Sequence, residues 1–179
     1  SATEFLSPAM RAEQNDETLN PAMLWVEEGK RLWTSKAGSS GASCASCHGD
    51  AAKTMRGLAA RYPAVDRKTG DLLNLELRIN RCRTDRQNAP AFDYESQPML
   101  ALAAYLALQS RGLPLAVATD GAAANHFKAG EKFWNARQGQ LNLACRQCHQ
   151  DNVGRKLRGD TISSGLGTGY PAYRFAWQT

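Results

Sequence analysis

Cys145-Arg146-Gln147-Cys148-His149 repeats Cys44-Ala45-Ser46-Cys47-His48 at a displacement of 101 residues (145 − 44). Each stretch is a C-x-x-C-H, the attachment signature of a c-type haem. Cysteines at i and i+3 reach the two vinyl groups on one edge of a porphyrin and hold them as thioethers. The adjoining histidine then lies beneath the iron and supplies an axial nitrogen. A redox or zinc-binding Cys-x-x-Cys with an incidental histidine is the alternative for one copy, and two copies in register argue against it. The pattern predicts two covalently bound c-type haems. Cys44 and Cys47 attach the first, Cys145 and Cys148 the second, with His48 and His149 as proximal ligands.

Outward from the motifs, the repeat continues: Gly130 and Trp134 match Gly29 and Trp33 at the same displacement. Residues Ala22 to Trp33 have helical spacing, with Pro21 where a first turn tolerates it. The Gly/Ser run Lys36 to Gly41 ends that helix and leads to Cys44. Arg61-Tyr62-Pro63 reads as a turn. Leu72 to Ile79 is expected to be helical, because it is poor in β-branched residues, and it leads to Arg81-Cys82-Arg83. Met99 to Gln109 is an amphipathic helix closed by Gly112 and Pro114.

Leading helix, haem motif, loops, distal-ligand segment and closing helix form the plan of a small class I cytochrome c. The expected fold is all-α, two tandem class I cytochrome c-like domains. An extended arm occupies 1–21, the first domain 22–110, a linker 111–123 and the second domain 124–179. Tyr170-Pro171 answers Tyr62-Pro63 at a displacement of 108, so the second copy gains seven residues (108 − 101) around Ser163 to Gly169. Projected onto that copy, Cys82 falls between 183 and 190 (82 + 101 and 82 + 108), past Thr179. The second domain is therefore expected to be incomplete, lacking its distal-ligand segment and closing helix.

At 179 residues, each half is small enough that a haem must supply much of its core. Mean hydropathy is −0.49, and no apolar run approaches a membrane span. The net charge of +5 and pI near 9.1 suit docking on anions or acidic surfaces, or a merely solvated basic surface. The basic residues are scattered and accompany no nucleic-acid module, which argues against nucleic acid. Of five cysteines the motifs use four, leaving Cys82 and no disulfide framework within the chain. Because c-type cytochromes are finished outside the bacterial cytoplasmic membrane, the expected location is periplasmic. The start Ser1-Ala2-Thr3 has no basic-then-apolar leader and reads as a mature form.

Each iron needs a second axial ligand or an open position. The candidates are Cys82, His126 and the methionines Met10, Met23, Met55 and Met99. Cys82 precedes the closing helix about where class I cytochromes place their distal ligand; its alternative is a buried free thiol. Thiolate ligation would lower the potential relative to methionine. Flanking Arg81 and Arg83 either favour the thiolate or form a solvent-facing basic turn. His126 reads as a surface or core residue.

The segments Ala42-Ser43-Cys-Ala-Ser-Cys-His-Gly49, Met55-Arg-Gly-Leu58, Arg61-Tyr-Pro63, Ile79-Asn-Arg-Cys82-Arg83, Leu143-Ala-Cys-Arg-Gln-Cys-His149 and Gly169-Tyr-Pro-Ala-Tyr-Arg174 together resemble SoxA. SoxA is the larger cytochrome subunit of the SoxAX complex of bacterial sulfur oxidation. The resemblance runs from about Trp25 to the C-terminus, and Ile79-Asn-Arg-Cys82 is its most diagnostic part. It implies His48 and Cys82 as axial ligands of the first haem. It also implies an L-cysteine S-thiosulfotransferase that joins thiosulfate to a cysteine of the SoxYZ carrier and passes electrons out through haem. The implied partners are a monohaem SoxX subunit and a downstream acceptor cytochrome. The family's catalytic site is the second haem, whose distal ligand is a cysteine, often a persulfide, near basic side chains. No cysteine follows Cys148 here, so the catalytic residue is expected beyond Thr179 in a longer protein, the alternative being a natural short form that transfers electrons only. The competing readings are a plain electron-transfer dihaem cytochrome, a thiosulfate dehydrogenase that makes tetrathionate and, more distantly, a peroxidase.

Overall fold

The computed structural model of the chain describes residues 7–165. Tyr170-Pro171, the Gly169 to Arg174 segment and the last residues of the inserted stretch lie outside the described residues. Residues of the expected extended arm instead form helix α1 (Pro8–Asn15). The Ser7 hydroxyl accepts the Met10 N–H at 3.2 Å and Pro8 sits in the first turn, a cap and a preset φ that start a helix even in a polar stretch. The segment is tied down where Arg111 pairs with Glu17 at 2.9 Å and donates to the Asn15 carbonyl at 2.8 Å.

Helix α2 (Ala22–Thr34) begins where the buried Asn20 side chain accepts the Ala22 N–H at 3.0 Å. Its buried residues Ala22, Val26, Gly29 and Trp33 follow helical spacing and make one stripe. Two short helices follow, α3 (Cys44–His48) and α4 (Ala51–Thr54), then a 3₁₀ turn at Ala59–Arg61. Strands β1 (Ala64–Val65) and β2 (Leu72–Leu73) pair antiparallel, Ala64 opposite Leu73. The helix expected over Leu72 to Ile79 therefore starts later, as α5 (Leu75–Gln87). The Asn74 side chain accepts the Leu77 N–H at 2.8 Å, and this cap divides the leucine run between strand and helix.

Helix α6 (Gln97–Leu108) lies across α2. The crossing is close because residue 29 is glycine: a Cβ there would stand 2.0 Å from the Ala101 carbonyl oxygen and 2.7 Å from the Tyr105 Cβ. Trp33, Ala51, Met55, Leu75, Ile79, Met99, Leu102 and Leu106 make the core. Residues 111–123 then run over the first half, with the Ala116 N–H on the Ala60 carbonyl at 2.8 Å, and end in a 3₁₀ turn at Gly121–Ala123.

The second half repeats the opening elements as α7 (Ala124–Asn135) and α8 (Cys145–His149). A small antiparallel hairpin follows, β3 (Lys156–Leu157) with β4 (Asp160–Thr161). The architecture is helical as expected, with strands among the described residues limited to these two-residue pairs. Ala123, Phe127, Gly130 and Trp134 stand 101 residues after the buried stripe of α2, yet of the four only Ala123 is buried. A Cβ on Gly130 meets nothing within 4 Å. These residues line an open apolar cleft of about 430 Å³, shared with Pro63 and Leu72. Among the described residues, no helix covers α7 as α6 covers α2.

Candidate haem centres

The first motif is held by hydrogen bonds that also fasten it to α5. A bridge between Ala37 and Ala42 folds the Gly/Ser run into a tight turn. Gly38, at φ 62°, lies so near the end of α5 that a Cβ would fall 2.1 Å from the Gln87 carbonyl oxygen. Across this contact the Ser40 hydroxyl donates to the Gln87 carbonyl at 2.8 Å, and the buried Gln87 amide donates to the Ala42 carbonyl at 3.0 Å. Ser43 and Ser46 then form a reciprocal capping box at the start of α3. The Trp33 ring lies 5.7 Å from that of His48, and its indole N–H donates to the Gly49 carbonyl at 3.0 Å. Leading helix, attachment motif and α5 are thus one connected unit.

Cys82 sits half-buried on α5. Burial pushes the Cys44 thiol up, and the neighbouring Cys82 adds to that effect; Cys82 in turn feels Cys47. The leftover cysteine therefore shares the attachment cysteines' surroundings, although it is remote from them in sequence. Burial also pushes the Cys82 thiol up, while Arg78 and Arg86 pull it down. The sequence had suggested Arg81 and Arg83 for that supporting role, and the structure assigns them elsewhere. Arg81 meets Asp66 at 3.2 Å and Asp71 at 3.1 Å. Arg83 donates to the Pro90 carbonyl at 3.0 Å and stacks over Phe92 at 3.5 Å. Adjacent helical residues point about 100° apart, whereas residues four apart share a face. That spacing was available in the sequence and would have selected 78 and 86.

Sequence reasoning also passed over Asp66, which is 5% exposed. The Lys68 N–H at 2.8 Å, the Thr69 N–H at 3.1 Å and the guanidiniums of Arg78 at 2.7 Å and Arg81 hold its carboxyl down at about 2. Met55 and Met99 belong to the core, 8% and 0% exposed, and their packing accounts for them. His126 is exposed on α7 at the apolar cleft.

The second motif repeats this local scaffold. The bridge between Gln138 and Leu143 stands 101 residues after that of Ala37 and Ala42. Gln147 accepts the Ala144 N–H at 2.8 Å, taking the part of Ser46. The Trp134 ring lies 6.2 Å from that of His149, and its N–H reaches the Gln150 side chain at 3.4 Å. His149 Nδ1 lies 3.0 Å from the Ser163 carbonyl. A carbonyl only accepts, so this contact places the ring proton on Nδ1 and leaves the Nε2 lone pair available to a metal. A Cβ added to Gly165 would stand 3.6 Å from the Trp134 ring and 3.7 Å from the His149 Cβ, so the backbone at Gly165 runs close beside the histidine.

No disulfide joins any of the five cysteines. Among the described residues, no group of three His, Cys, Asp or Glu side chains converges as a cage for a bare metal ion. Two thiols and one imidazole per motif suit a group that brings its own equatorial donors and needs anchoring and axial ligation, so the residues fit haem. No helix among the described residues is long and apolar enough to cross a membrane.

The family described as SoxA/TsdA, cytochrome c domain, matches residues 28–115, which contain the first motif and Cys82. A protein of Pseudaminobacter salicylatoxidans named L-cysteine S-thiosulfotransferase subunit SoxA is 38% identical over 172 residues, covering 96% of this chain and 60% of its own length. The identically named protein of Rhodovulum sulfidophilum is 37% identical, covering 97% of this chain and 61% of its own. The crystal structure of SoxXA from P. pantotrophus superposes with a TM-score of 0.91 at 36% identity, covering 100% of this chain and 67% of that one. The chain spans about 60% of the length of the curated relatives it matches.

Proposed function

The chain belongs to the SoxA family of c-type cytochromes, and from that membership we propose that it is the haem-bearing part of a periplasmic L-cysteine S-thiosulfotransferase. The reaction joins the outer sulfur of thiosulfate to a carrier-protein thiol. A sulfur–sulfur bond forms, the thiol proton is released, and two electrons leave. The haems, when bound, supply one-electron acceptance at iron, and an acceptor cytochrome takes the electrons onward. The carrier is SoxYZ and the partner subunit is SoxX, a pairing supported by the likeness to a solved SoxXA complex.

In this reading Cys44 and Cys47 would attach the first haem, and His48 and Cys82 would ligate its iron. Cys145 and Cys148 attach the second, with His149 oriented by the Ser163 carbonyl. The haem held by the second motif would supply the electron acceptance beside which the transfer occurs. Arg155, Lys156 and Arg158 stand exposed on the hairpin next to Ser163 and would attract the dianionic substrate. The observation that carries the function is the likeness to relatives of that name across 96–97% of the chain.

The test is to incubate the full-length protein and its monohaem partner with thiosulfate, carrier and an oxidised acceptor, then read the carrier's intact mass and the acceptor's reduction. The expected result is a thiosulfonate adduct on the carrier cysteine with two electrons delivered per adduct. Acceptor reduction with no carrier adduct would establish plain electron transfer instead.

A further inference from the structure

The helix face that carries Cys82 also carries a charge arrangement that haem attachment does not require. Arg78 and Arg86 lie one turn before and one turn after Cys82 on α5. Arg78 is held in place: its guanidinium meets Asp66 at 2.7 Å, and the same carboxylate reaches Arg81 at 3.2 Å. Asp66 is itself fixed, nearly buried and accepting the Lys68 and Thr69 N–H groups in the turn after β1. Burying a carboxylate costs desolvation, offset here by two cations and two backbone donors. The result is a rigid carboxylate–guanidinium pair one helical turn from a sulfur. Asp71 is different, because it is exposed and its contacts run to Arg81 and Thr69.

We propose that the Asp66–Arg78 pair is a positioning device that sets the reduction potential of the first haem through the Cys82 sulfur. This rests on the reading of Cys82 as that haem's axial ligand. The Arg78 charge stabilises electron density on the sulfur and on the iron it ligates, favouring the reduced state. The Asp66 charge offsets part of that field and also fixes where the guanidinium points. Because the pair is partly withdrawn from water, neither charge is fully screened. Loss of the cation and loss of the anion must therefore move the potential in opposite directions. A merely structural pair would not behave this way, since breaking it from either side would loosen the same contact.

The experiment is a spectroelectrochemical titration of the first haem in the mature complex, for the wild type and for Arg78→Gln, Arg78→Lys, Asp66→Asn and Asp71→Asn. Arg78→Gln is expected to shift the potential down and Asp66→Asn to shift it up. Arg78→Lys, which keeps the charge, should lie close to the wild type, and Asp71→Asn should leave the potential in place. All variants should keep the low-spin spectrum of a thiolate-ligated haem. If Arg78→Gln fails to mature, the upward shift of Asp66→Asn against unmoved Arg78→Lys decides the matter. Unmoved potentials, or shifts of the same sign, under an intact thiolate spectrum would overturn this inference alone. A wild-type spectrum without thiolate ligation would overturn the ligand assignment and this inference with it.

Discussion

Replacing Gly29 by alanine should destabilise the protein even though alanine is the better helix former. In an open helix the exchange is favourable by ~1 kcal/mol. Here the new methyl would stand 2.0 Å from the Ala101 carbonyl oxygen, 2.7 Å from the Ala101 carbonyl carbon and 2.7 Å from the Tyr105 Cβ. Backbone atoms of α6 cannot rotate away as a side-chain tip would, so α2 and α6 must separate by ~1 Å or more to restore ordinary contact. That separation loosens Trp33 against Tyr105, whose rings lie 6.1 Å apart, and disturbs the seating of the fully buried Met99 and Leu102. Overpacking of this kind costs ~1–3 kcal/mol, and an unyielding backbone neighbour puts it at the upper end. The net expectation is a loss of ~2 kcal/mol, or a melting temperature lower by ~4–8 °C for a chain of this length. The control is Gly130→Ala, where nothing lies within 4 Å and the propensity gain of ~1 kcal/mol should appear as added helicity or stability. Urea unfolding of the haem-loaded 179-residue chain, followed by far-ultraviolet circular dichroism and haem absorbance, measures both variants. A Gly29→Ala protein as stable as the wild type would refute the close crossing, and a Gly130→Ala protein as damaged as Gly29→Ala would refute the uncovered face.

Removal of the Cys82 sulfur by Cys82→Ala should change the low-spin spectrum of the first haem and raise its potential, since a thiolate favours ferric iron; an unchanged spectrum would reject the ligand assignment. Asp66 should shape the acid limb of stability. Its carboxyl is held at about 2 in the folded state against 3.8 for the free group, so its contribution is present in full above about pH 4 and is lost as pH falls through 2. Asp66→Asn should flatten that part of the pH–stability profile, and an unchanged acid limb would sink the assignment. Gly38→Ala places a Cβ 2.1 Å from the Gln87 carbonyl oxygen at a positive φ, so it should separate the motif turn from α5. Covalent haem yield and the first haem's spectrum should both suffer, whereas Gly139→Ala, which shares the positive φ of 68° but meets no neighbour within 4 Å, should impair the second haem's attachment less.

The attachment motifs were legible because their chemistry is local: two thiols and an imidazole at fixed spacing need no distant residue to be recognised. Helix α2 was legible for a similar reason, since a periodic apolar stripe is written in consecutive residues, α7 followed as its repeat, and α6 was legible as a run of apolar helix formers closed by Gly112 and Pro114. Cys82 emerged by elimination and position, and its nearness to Cys44 and Cys47 is a matter of packing. The short-range errors have identifiable causes. Single capping side chains, Ser7 and Asn74, set where α1 and α5 begin, and a cap outweighs the composition of the residues around it. Naming Arg81 and Arg83 as supports of the sulfur treated neighbours in sequence as neighbours in space, which a helix does not allow.

By itself the sequence determined the chemistry on offer, namely two attachment motifs, one unassigned thiol and a duplicated scaffold displaced by 101 residues. Only the tertiary structure decided how unequal the two copies are. Gly29 and Gly130 are the same residue in equivalent helices, yet one touches the backbone of α6 and the other faces an open cleft. Likewise Asp66 became part of the Cys82 surroundings only because the turn after β1 packs on α5, where Arg78 can reach it. Such differences lie in contacts between segments far apart in the chain, whose strength depends on approach and burial, and the local pattern of residues carries neither.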